Sequence, residues 1–470
     1  MNRSNRIFNA SLLFSGGSFF YIHKKFMTQK ILLSDHFTYK KLFKFVLPSV
    51  FMMVVTSIYC VIDGFFISNF AGKTPFAAIN FIYPFIMILG GMGFMIGTGG
   101  TALVSKTLGE GDIDKAHKYF TMLIMFAVIL GLTLTTVGIL LIRPICFFLD
   151  ATEEMTGYCV QYGTIVISFT TFFMLQNIFQ SFLAAAEKPR LGLIVTIIAG
   201  CTNALLDALF IVVFKWGIVG AAVATGIGQM VGGIIPLVYF LRPNNSALKF
   251  SKTKIEIKPI LGACANGSSE LLTNISSSIV SMLYNMQLMK FYGENGVSAY
   301  GVLMYVQLIF LGIEIGYSIG SAPVVAYNYG ARNTKELKNM FKKGVISMSV
   351  AGVALTFLAE VLAVPLAHIF VGYDKELFNL TVHAFRMFSF VFLFSGINIF
   401  SSGFFTALNN GLVSAILSFM RALVFQTTFV FLLPAVFGSE GVWFATFTTE
   451  IFAVITSITF LVALKKKYDY

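Results

Sequence analysis

Long apolar segments recur along this 470-residue chain and constrain its fold more than any other feature. Runs of about 20 residues follow one another from about residue 43 to about residue 464, and a helix of that length crosses the hydrocarbon core of a bilayer. None of the runs alternates polar and apolar residues with a period of two, as membrane barrel strands do. Charged residues make up 11% of the chain, against about 25% in soluble domains. The sequence therefore predicts an all-α integral membrane protein.

The hydropathy pattern predicts twelve transmembrane helices. Several of them exceed about 25 residues, so some must tilt, bend or project beyond the hydrocarbon. Their expected ranges are 43–70, 75–107, 117–142, 156–187, 190–214, 217–242, 258–290, 296–329, 337–364, 376–408, 411–436 and 440–464.

The positive charges predict the orientation of the chain in the membrane. Most of the 33 Lys and Arg residues lie in the two termini and in the loops 2–3, 4–5, 6–7 and 8–9. The opposite loops hold five: Lys73, Arg143, Lys215, Lys290 and Lys375. By the positive-inside rule, both termini are expected in the cytoplasm of a multi-pass plasma (inner) membrane protein. The net charge of +12 is then a topology signal, and no nucleic-acid partner is expected.

The sequence contains an internal repeat, which appears when the chain is aligned with itself at an offset of 221 residues. A single shared register across separate loops is poorly explained by chance, although each match alone is weak. The matched pairs include Gly72 and Gly293, Val104 and Val325, Gly109 and Gly330, Ser181 and Ser402, and Gly217 and Gly438. Six helices per half make the repeat parallel, with its pseudo-twofold axis along the membrane normal. We therefore expect two six-helix lobes that face each other across a central cavity.

The repeat also suggests domain boundaries. We expect a cytoplasmic N-terminal segment over 1–40, an N-lobe over 41–242, a cytoplasmic linker over 243–257, a C-lobe over 258–465 and a short cytoplasmic tail over 466–470. Residues 1–26 contain an apolar patch that is too short and too rich in Ser and Gly to span a bilayer. They could be an artefactual extension ahead of Met27, a disordered tail or a weak signal-like segment.

Three polar residues inside apolar helices are the first candidates for function. A carboxylate at bilayer depth costs roughly 2.5–3.5 kcal/mol, so Asp63 and Asp207 are expected to face a protein interior or a watery cavity. Asn203 and Asp207 are four residues apart and share one helix face, where their oxygens could bind a proton or a hard cation. Pro48 precedes Asp63 by fifteen residues and is expected to bend the first helix. The structural alternative is a fixed kink with a polar clamp between helices.

No catalytic chemistry is expected. The chain has no zinc motif, nucleophile elbow, Walker loop or dinucleotide fingerprint. Its five cysteines lie in or beside apolar spans without a C-x-x-C spacing, which is typical of small core residues. We therefore expect neither an enzyme nor a resident cofactor or metal.

Four short segments resemble the multidrug and toxin extrusion (MATE) antiporters, and the resemblance extends over about residues 40–465. They read Lys106-Thr-Leu-Gly-Glu-Gly-Asp, Ala185-Ala-Glu-Lys-Pro-Arg, Ala326-Tyr-Asn-Tyr-Gly-Ala-Arg and the overlapping Gly320-Ser-Ala-Pro-Val-Val-Ala-Tyr-Asn-Tyr-Gly-Ala. The last of these is quite specific to the family. The resemblance implies a twelve-helix transporter with two parallel lobes.

The resemblance also implies roles for particular residues. In the prokaryotic branch with a cation site in the N-lobe, the first-helix aspartate matches Asp63 and the fifth-helix pair matches Asn203 and Asp207. A fourth-helix tyrosine matches Tyr162, and a sixth-helix threonine matches Thr225. All five residue types are present here, so the resemblance implies a site for H⁺ or Na⁺, with no metal beyond that ion.

The second half departs from any single family pattern. Glu270, Glu314 and Glu450 lie well inside predicted helices, as do Arg386 and Arg421. Some relatives place a coupling carboxylate in the C-lobe, so Glu270 and Glu314 are candidates for a substrate site or a second ion site. The structural alternative is a buried network neutralised by the two arginines.

These features together predict a secondary active exporter of amphipathic, mainly cationic drugs, driven by inward flow of H⁺ or Na⁺. We expect it to be a monomer in the bilayer and a minority of its Met and Phe residues to line an adaptable drug cleft. A lipid-linked oligosaccharide flippase is the nearest alternative, although an anionic lipid should call for a cluster of cavity arginines. A receptor or scaffold without transport would explain neither the duplicated bundle nor the intramembrane carboxylates.

Overall fold

Twelve helices, numbered α1 to α12, form the bundle and follow one another in the order predicted from the sequence. The computed structural model describes residues 31–70, 73–148 and 152–470, and these residues form helices, turns and short irregular links. The helices are α1 (Tyr39–Phe70), α2 (Lys73–Gly109), α3 (Ile113–Phe148), α4 (Glu153–Ser168 and Thr170–Ala185), α5 (Pro189–Val213), α6 (Gly217–Leu241), α7 (257–292), α8 (294–330), α9 (Thr334–Val371), α10 (Lys375–Ser389 and Phe392–Ala407), α11 (Gly411–Phe437) and α12 (Glu440–Tyr468).

Length and composition suit these helices to a membrane. Within the described residues, nine helices are long and apolar enough to span it, and two bent pairs, α4 and α10, raise the number to eleven. The 74-residue segment Ile257–Gly330 is one of the nine, and it divides into α7 and α8 at Gly293, whose φ is 61° and ψ −150°. Glycine adopts such a conformation without the steric penalty of a Cβ atom. The prediction of twelve helices is therefore confirmed.

The two halves of the chain share their irregularities. Helix α4 bends by 53° at Phe169, and α10 bends by 48° between Ser389 and Phe392, which are equivalent places in the 221-residue register. Gly217 and Gly438, also equivalent, both have positive φ, 54° and 64°. A π-helical turn ends α5, and another interrupts α11. The structure thus consists of an N-lobe (α1–α6) and a C-lobe (α7–α12) built on one plan.

Residues Leu33–Tyr470 form one compact unit. Residues 1–30 lie outside the part of the chain that the structure describes. The interpretation of residues 1–26 as an artefactual extension therefore lies outside the described residues.

Glycines allow the two lobes to touch through their backbones. A Cβ atom on Gly109 of α2 would lie 2.0 Å from the carbonyl oxygen of Tyr327, and one on Gly330 of α8 would lie 2.0 Å from that of Lys106. Such contacts are typical of membrane helices that cross at small residues. This crossing lies at the end of the bundle where α1 begins and α12 ends, which we call the terminal face.

A short segment before α1, the strap Leu33–Phe37, contacts both lobes at the terminal face. The Leu33 amide donates to Oε1 of Glu187, in the turn between α4 and α5, at 3.0 Å. The Phe37 amide donates to Oε1 of Glu336 in α9 at 2.9 Å, and His36 Nδ1 lies 2.7 Å from the other Glu336 oxygen. The Leu33 and Phe37 side chains are almost fully buried. The strap therefore joins the N-lobe to the C-lobe.

Candidate functional site

Helices α1, α5 and α6 bring four of the predicted polar side chains together inside the N-lobe. The Thr225 hydroxyl donates to Oδ1 of Asp63 at 3.4 Å, and Asp207 and Asn203 also adjoin the Asp63 carboxyl. Asp63 is half-buried, whereas Asp207 is completely buried and Asn203 nearly so. The site is thus open on the Asp63 side and closed on the Asp207 side.

The closed side of this site contains polar atoms without partners. Among the described residues, neither Asp207 carboxyl oxygen forms a hydrogen bond, and neither polar atom of the Asn203 amide forms one. Asp207 and Asn203 approach Asp63, but two ionised carboxylates have no hydrogen to share and repel each other. A proton placed between the carboxyls, or a cation bridging them, would satisfy the carboxyl oxygens. The geometry is therefore suited to binding one positive charge.

Local irregularity places Asp207 in this position. The α-helical part of α5 ends at Asp207, and a π-helical turn follows over Ala208–Val213. Such a turn adds a residue to the helix and re-aims the side chains around it, which is why π-bulges are frequent at functional sites. On the other side, a Cβ atom on Gly228 of α6 would lie 3.0 Å from the Cβ of Asn203, so glycine lets α6 pack directly against the pair.

Tyr162 completes the group of five residues that were predicted from the sequence. It lies in the first segment of α4, is 4% exposed, and is near enough to Asp63 and Asp207 for electrostatic interaction. Pro48 is buried inside α1. Helix α1 runs without a break from Tyr39 to Phe70, and the expected movement about Pro48 stays a prediction.

Sequence reasoning missed two buried glutamines beneath this site. Gln176 and Gln180 lie on the second segment of α4, are 4% and 6% exposed, and have carbonyl oxygens without partners among the described residues. Both line a very small cavity between α4, α5 and α6. The available signal was two amides one helical turn apart within the apolar stretch 171–183. Their neutrality made them less conspicuous than the carboxylates.

The C-lobe repeats the geometry of the Asp63–Thr225 pair without its charge. By the 221-residue register, Tyr284 replaces Asp63 and Thr446 replaces Thr225. The Tyr284 hydroxyl lies 2.8 Å from Oγ1 of Thr446 and donates to the Val442 carbonyl at 2.9 Å. The Tyr284 ring stacks on that of Tyr300, with centroids 4.8 Å apart. The equivalent position in the C-lobe is thus a hydrogen-bonded aromatic pair.

A cavity of about 270 Å³ lies beside this aromatic pair. Arg421 and Glu450 both line it and form an ion pair: Arg421 Nε and Nη2 each lie 2.9 Å from Oε1 of Glu450. Asn398 Nδ2 donates to Oε2 of Glu450 at 2.6 Å. Glu450 therefore fits the structural alternative, a buried carboxylate neutralised by an arginine.

The other charged residues of the C-lobe lie in different surroundings. Glu270 is half-buried, lines the cavity and is near Arg421. Glu314 is completely buried outside the lining; Ser395 donates to its Oε1 at 2.9 Å, and its Oε2 has no partner within the described part of the chain. Arg386 is exposed. The expected network with two arginines is therefore wrong for Arg386, because its segment of α10 turns that side chain outward.

The cavity wall contains few of the Met and Phe residues, a minority of which were expected to line an adaptable cleft. Its described lining includes one methionine, Met304, and one aromatic residue, Tyr300, and no phenylalanine. Its polar groups are mainly serine and threonine hydroxyls, which come from α2, α4, α7, α8, α10, α11 and α12. The wall therefore offers hydrogen-bonding groups set within apolar surface.

A family model described as MatE matches the chain twice, over residues 48–209 and 271–432. The two matches fall on equivalent parts of the N-lobe and the C-lobe, in keeping with the internal repeat. Together they cover more than half of the chain.

Similar proteins extend over nearly the whole chain. "Multidrug export protein MepA" of Staphylococcus haemolyticus is 24% identical over 437 residues, which are 91% of this chain and 94% of that protein. The protein of the same name from Staphylococcus aureus strain MSSA476 is 23% identical over 438 residues, with the same coverage.

Solved structures share the fold at lower identity. An outward-facing multidrug resistance MATE family transporter of the MOP superfamily superposes with a TM-score of 0.86 at 20% identity, over 93% of this chain and 99% of that one. A MOP superfamily transporter from Pyrococcus furiosus Vc1, described as having a binding pocket of reverse polarity that suggests a different function, superposes with a TM-score of 0.83 at 20% identity, over the same shares.

Proposed function

The chain belongs to the MatE family, and on that premise we propose that it is a secondary active multidrug exporter. It moves amphipathic, mainly cationic small molecules out of the cell in exchange for H⁺ or Na⁺. The observation that carries the proposal is a pair of adjoining carboxyls inside the N-lobe, Asp63 and the fully buried Asp207, whose oxygens have no hydrogen-bond partner among the described residues. The names of the staphylococcal relatives support the choice of drugs as cargo.

The carboxyl pair binds the coupling ion. A proton needs only one of the two carboxyls, whereas Na⁺ needs several oxygen ligands at once. Within the described residues, no three His, Cys, Asp or Glu side chains converge on one point. A bound Na⁺ would therefore take further oxygens from Asn203, Thr225, Tyr162 or water. Both ions use the same place and compete for it.

The terminal face is cytoplasmic in this proposal, and the protein acts as a monomer in the plasma membrane. The positive-inside rule supports the orientation, since most Lys and Arg residues lie at that face. The glycine crossing of Gly109 and Gly330 and the strap then close the cytoplasmic side.

Transport follows from a change in the relative populations of two conformations of the bundle. Two lobes of one plan, related by an axis along the membrane normal, can rock against each other around a central site, so that the site faces either side in turn. A coupling ion changes the balance only if it binds one state better than the other. Ion entry from outside neutralises the Asp63–Asp207 pair, changes the bend of α1 at Pro48 and weakens drug binding.

The cationic drug binds in the C-lobe cavity. Glu270 faces that cavity, and the Arg421 charge is already matched by Glu450, so the lining has an excess of negative charge. Glu314 lies behind the wall with one unpartnered oxygen and serves as a second ion site.

The flippase alternative receives less support from the cavity. An anionic lipid headgroup needs unpaired cationic side chains, but Arg421 is engaged with Glu450 and Arg386 is exposed outside the lining. The polarity of the pocket is therefore the feature that separates the two functions.

Flux in proteoliposomes tests the proposal directly. Purified protein is reconstituted, and efflux of a cationic dye is measured while a pH gradient and a sodium gradient are imposed one at a time. We expect one gradient to drive efflux in the native protein and not in Asp63→Asn. The exposed residue Asp114 at the start of α3 gives a matched control, Asp114→Asn. Dye movement that ignores both gradients would refute ion-coupled export.

A further inference from the structure

Three hydroxyl groups at the wall of the cavity act as acceptors rather than donors toward a ligand. Thr98 donates its hydroxyl hydrogen to the Phe94 carbonyl at 3.0 Å, and Thr273 donates to the Ser269 carbonyl at 2.8 Å. Ser277 donates to the Thr273 carbonyl, also at 2.8 Å. A hydroxyl has one hydrogen and two lone pairs. Once that hydrogen is bound within its own helix, the oxygen can only accept a hydrogen bond from a ligand.

Two donor side chains of the wall, Arg421 and Gln426, already form hydrogen bonds with neighbouring side chains. Arg421 donates through Nε and Nη2 to Glu450, and Gln426 Nε2 donates to Oγ1 of Thr446 at 2.9 Å. The Glu270 carboxylate forms no side-chain hydrogen bond or ion pair with any other described residue and adds two free acceptor oxygens. The charges of the Glu270 and Glu450 carboxylates and of the Arg421 guanidinium add up to one net negative charge. The wall therefore offers acceptors and a net negative charge.

Aromatic faces are scarce in the same cavity. Quaternary ammonium groups have no N–H donor and are usually held by cages of aromatic rings. Tyr300 is the one aromatic residue of the described lining, it is 8% exposed, and the Tyr284 ring covers one of its faces. The volume of about 270 Å³ is near the lower limit of about 300 Å³ for ligand pockets. A bulky quaternary cation thus finds neither an aromatic cage nor much room.

We propose that this cavity selects cations that carry several N–H donors, such as primary ammonium, amidinium or guanidinium compounds, over quaternary cations of equal charge. The inference rests on the proposed exporter function and specifies its substrate class. Glu270 supplies the attraction to charge, and Thr98, Thr273 and Ser277 supply the preference for donors.

A matched pair of substrates tests the selection. The phenethylammonium ion and its N,N,N-trimethyl derivative differ in three N–H donors and share their charge and ring. We expect the native protein to transport the primary amine with a kcat/KM at least about tenfold higher, and to bind it more tightly in equilibrium titrations of the detergent-solubilised protein. A trimethyl derivative that binds and moves as well as the primary amine would overturn the proposal.

Substitutions assign the preference to the wall. In the double variant Thr273→Val with Ser277→Ala, binding of the primary amine should weaken and binding of the trimethyl compound should stay, so the ratio between them falls. In Glu270→Gln both should weaken by a similar factor. The control Thr428→Val removes an exposed hydroxyl of α11 that also donates within its own helix and should change neither. A ratio that stays at the native value in the double variant would contradict the role of the hydroxyls.

The outcomes separate this inference from the exporter function. Tighter binding of the primary amine without flux under either gradient would retain the selectivity and reject the exporter. Gradient-driven flux of a quaternary dye together with no preference for the primary amine would retain the exporter and reject the selectivity.

Discussion

Two buried carboxylates of this protein, Asp207 and Glu450, have opposite electrostatic surroundings. Asp207 adjoins a second carboxyl and has no hydrogen-bond partner among the described residues, whereas Glu450 is matched by Arg421 and Asn398. Removing a charge from the first kind of site relieves repulsion, and removing it from the second leaves a cation without its counterion. Neutralising variants should therefore separate function from stability.

For Asp63 we expect a loss of function without a loss of stability. Asp63→Asn keeps the shape of the side chain, removes one of two adjoining carboxyls and should abolish gradient-driven efflux. The midpoint of thermal unfolding in detergent should stay within a few degrees of the native value or rise. Normal efflux would contradict the coupling role, and a large fall of the midpoint would reveal a structural one.

For Glu450 we expect the reverse. Glu450→Gln leaves the Arg421 guanidinium in a largely buried site without its charge partner, and breaking such a pair costs about 3–5 kcal/mol. Thermal unfolding of the variant should occur at a markedly lower temperature than that of the native protein. Exposed Glu110, changed to Gln, serves as the control. An unchanged midpoint would show that water or Glu270 compensates the arginine.

The intramembrane carboxylates could be recognised from the sequence because a charge in an apolar run is rare. Gln176 and Gln180 could not, since amides occur there without a large penalty. The outward direction of Arg386 was also out of reach, because it depends on how its segment of α10 is oriented in the bent helix.

At the level of helices, the sequence predicted which segments are helical and their order along the chain, but not where the helices bend. The predicted ends fall close to the observed ones for most helices, because apolar length and the Lys- and Gly-rich turns depend on local sequence. The bend of α4 at Phe169 does not depend on local sequence, because neither proline nor glycine occurs there. Instead, the Phe169 ring packs over Gly226 of α6, where an added Cβ would lie 2.3 Å from the ring. Tertiary packing produces this bend.

Gly226 should accordingly tolerate no side chain. Gly226→Ala forces the Phe169 ring to move, and overpacking of this kind typically costs about 1–3 kcal/mol. The bend joins the segment of α4 that carries Tyr162 to the segment that carries Gln176, so efflux should fall as well. Thermal unfolding and dye flux measure the two effects. A Cβ on Gly157 of α4 would meet nothing within 4 Å, so Gly157→Ala is the control and should be neutral or slightly stabilising.

For the whole molecule, we expect the glycine crossing at the terminal face to influence which state the bundle prefers. An alanine at Gly330 would place its Cβ 2.0 Å from the Lys106 carbonyl, and a backbone atom cannot turn aside as a side chain can. We expect Gly330→Ala to separate α2 from α8 and to favour the state open at that face. Spin labels on Asp114 and Lys335 should then report a longer distance. Gly301→Ala, with nothing within 4 Å, should leave the distance unchanged.

The strap has a consequence for the speed of the cycle. It hydrogen-bonds to Glu187 on one lobe and to Glu336 on the other, so the terminal face cannot open until one of these attachments breaks. The free energy of these attachments thus adds to the activation barrier of every transport cycle. It does not change the affinity for a ligand. Glu336→Gln weakens one attachment, and we expect a higher maximal efflux rate at an unchanged KM. A changed KM at a constant rate would mean that the strap acts on the substrate site instead of serving as a brake.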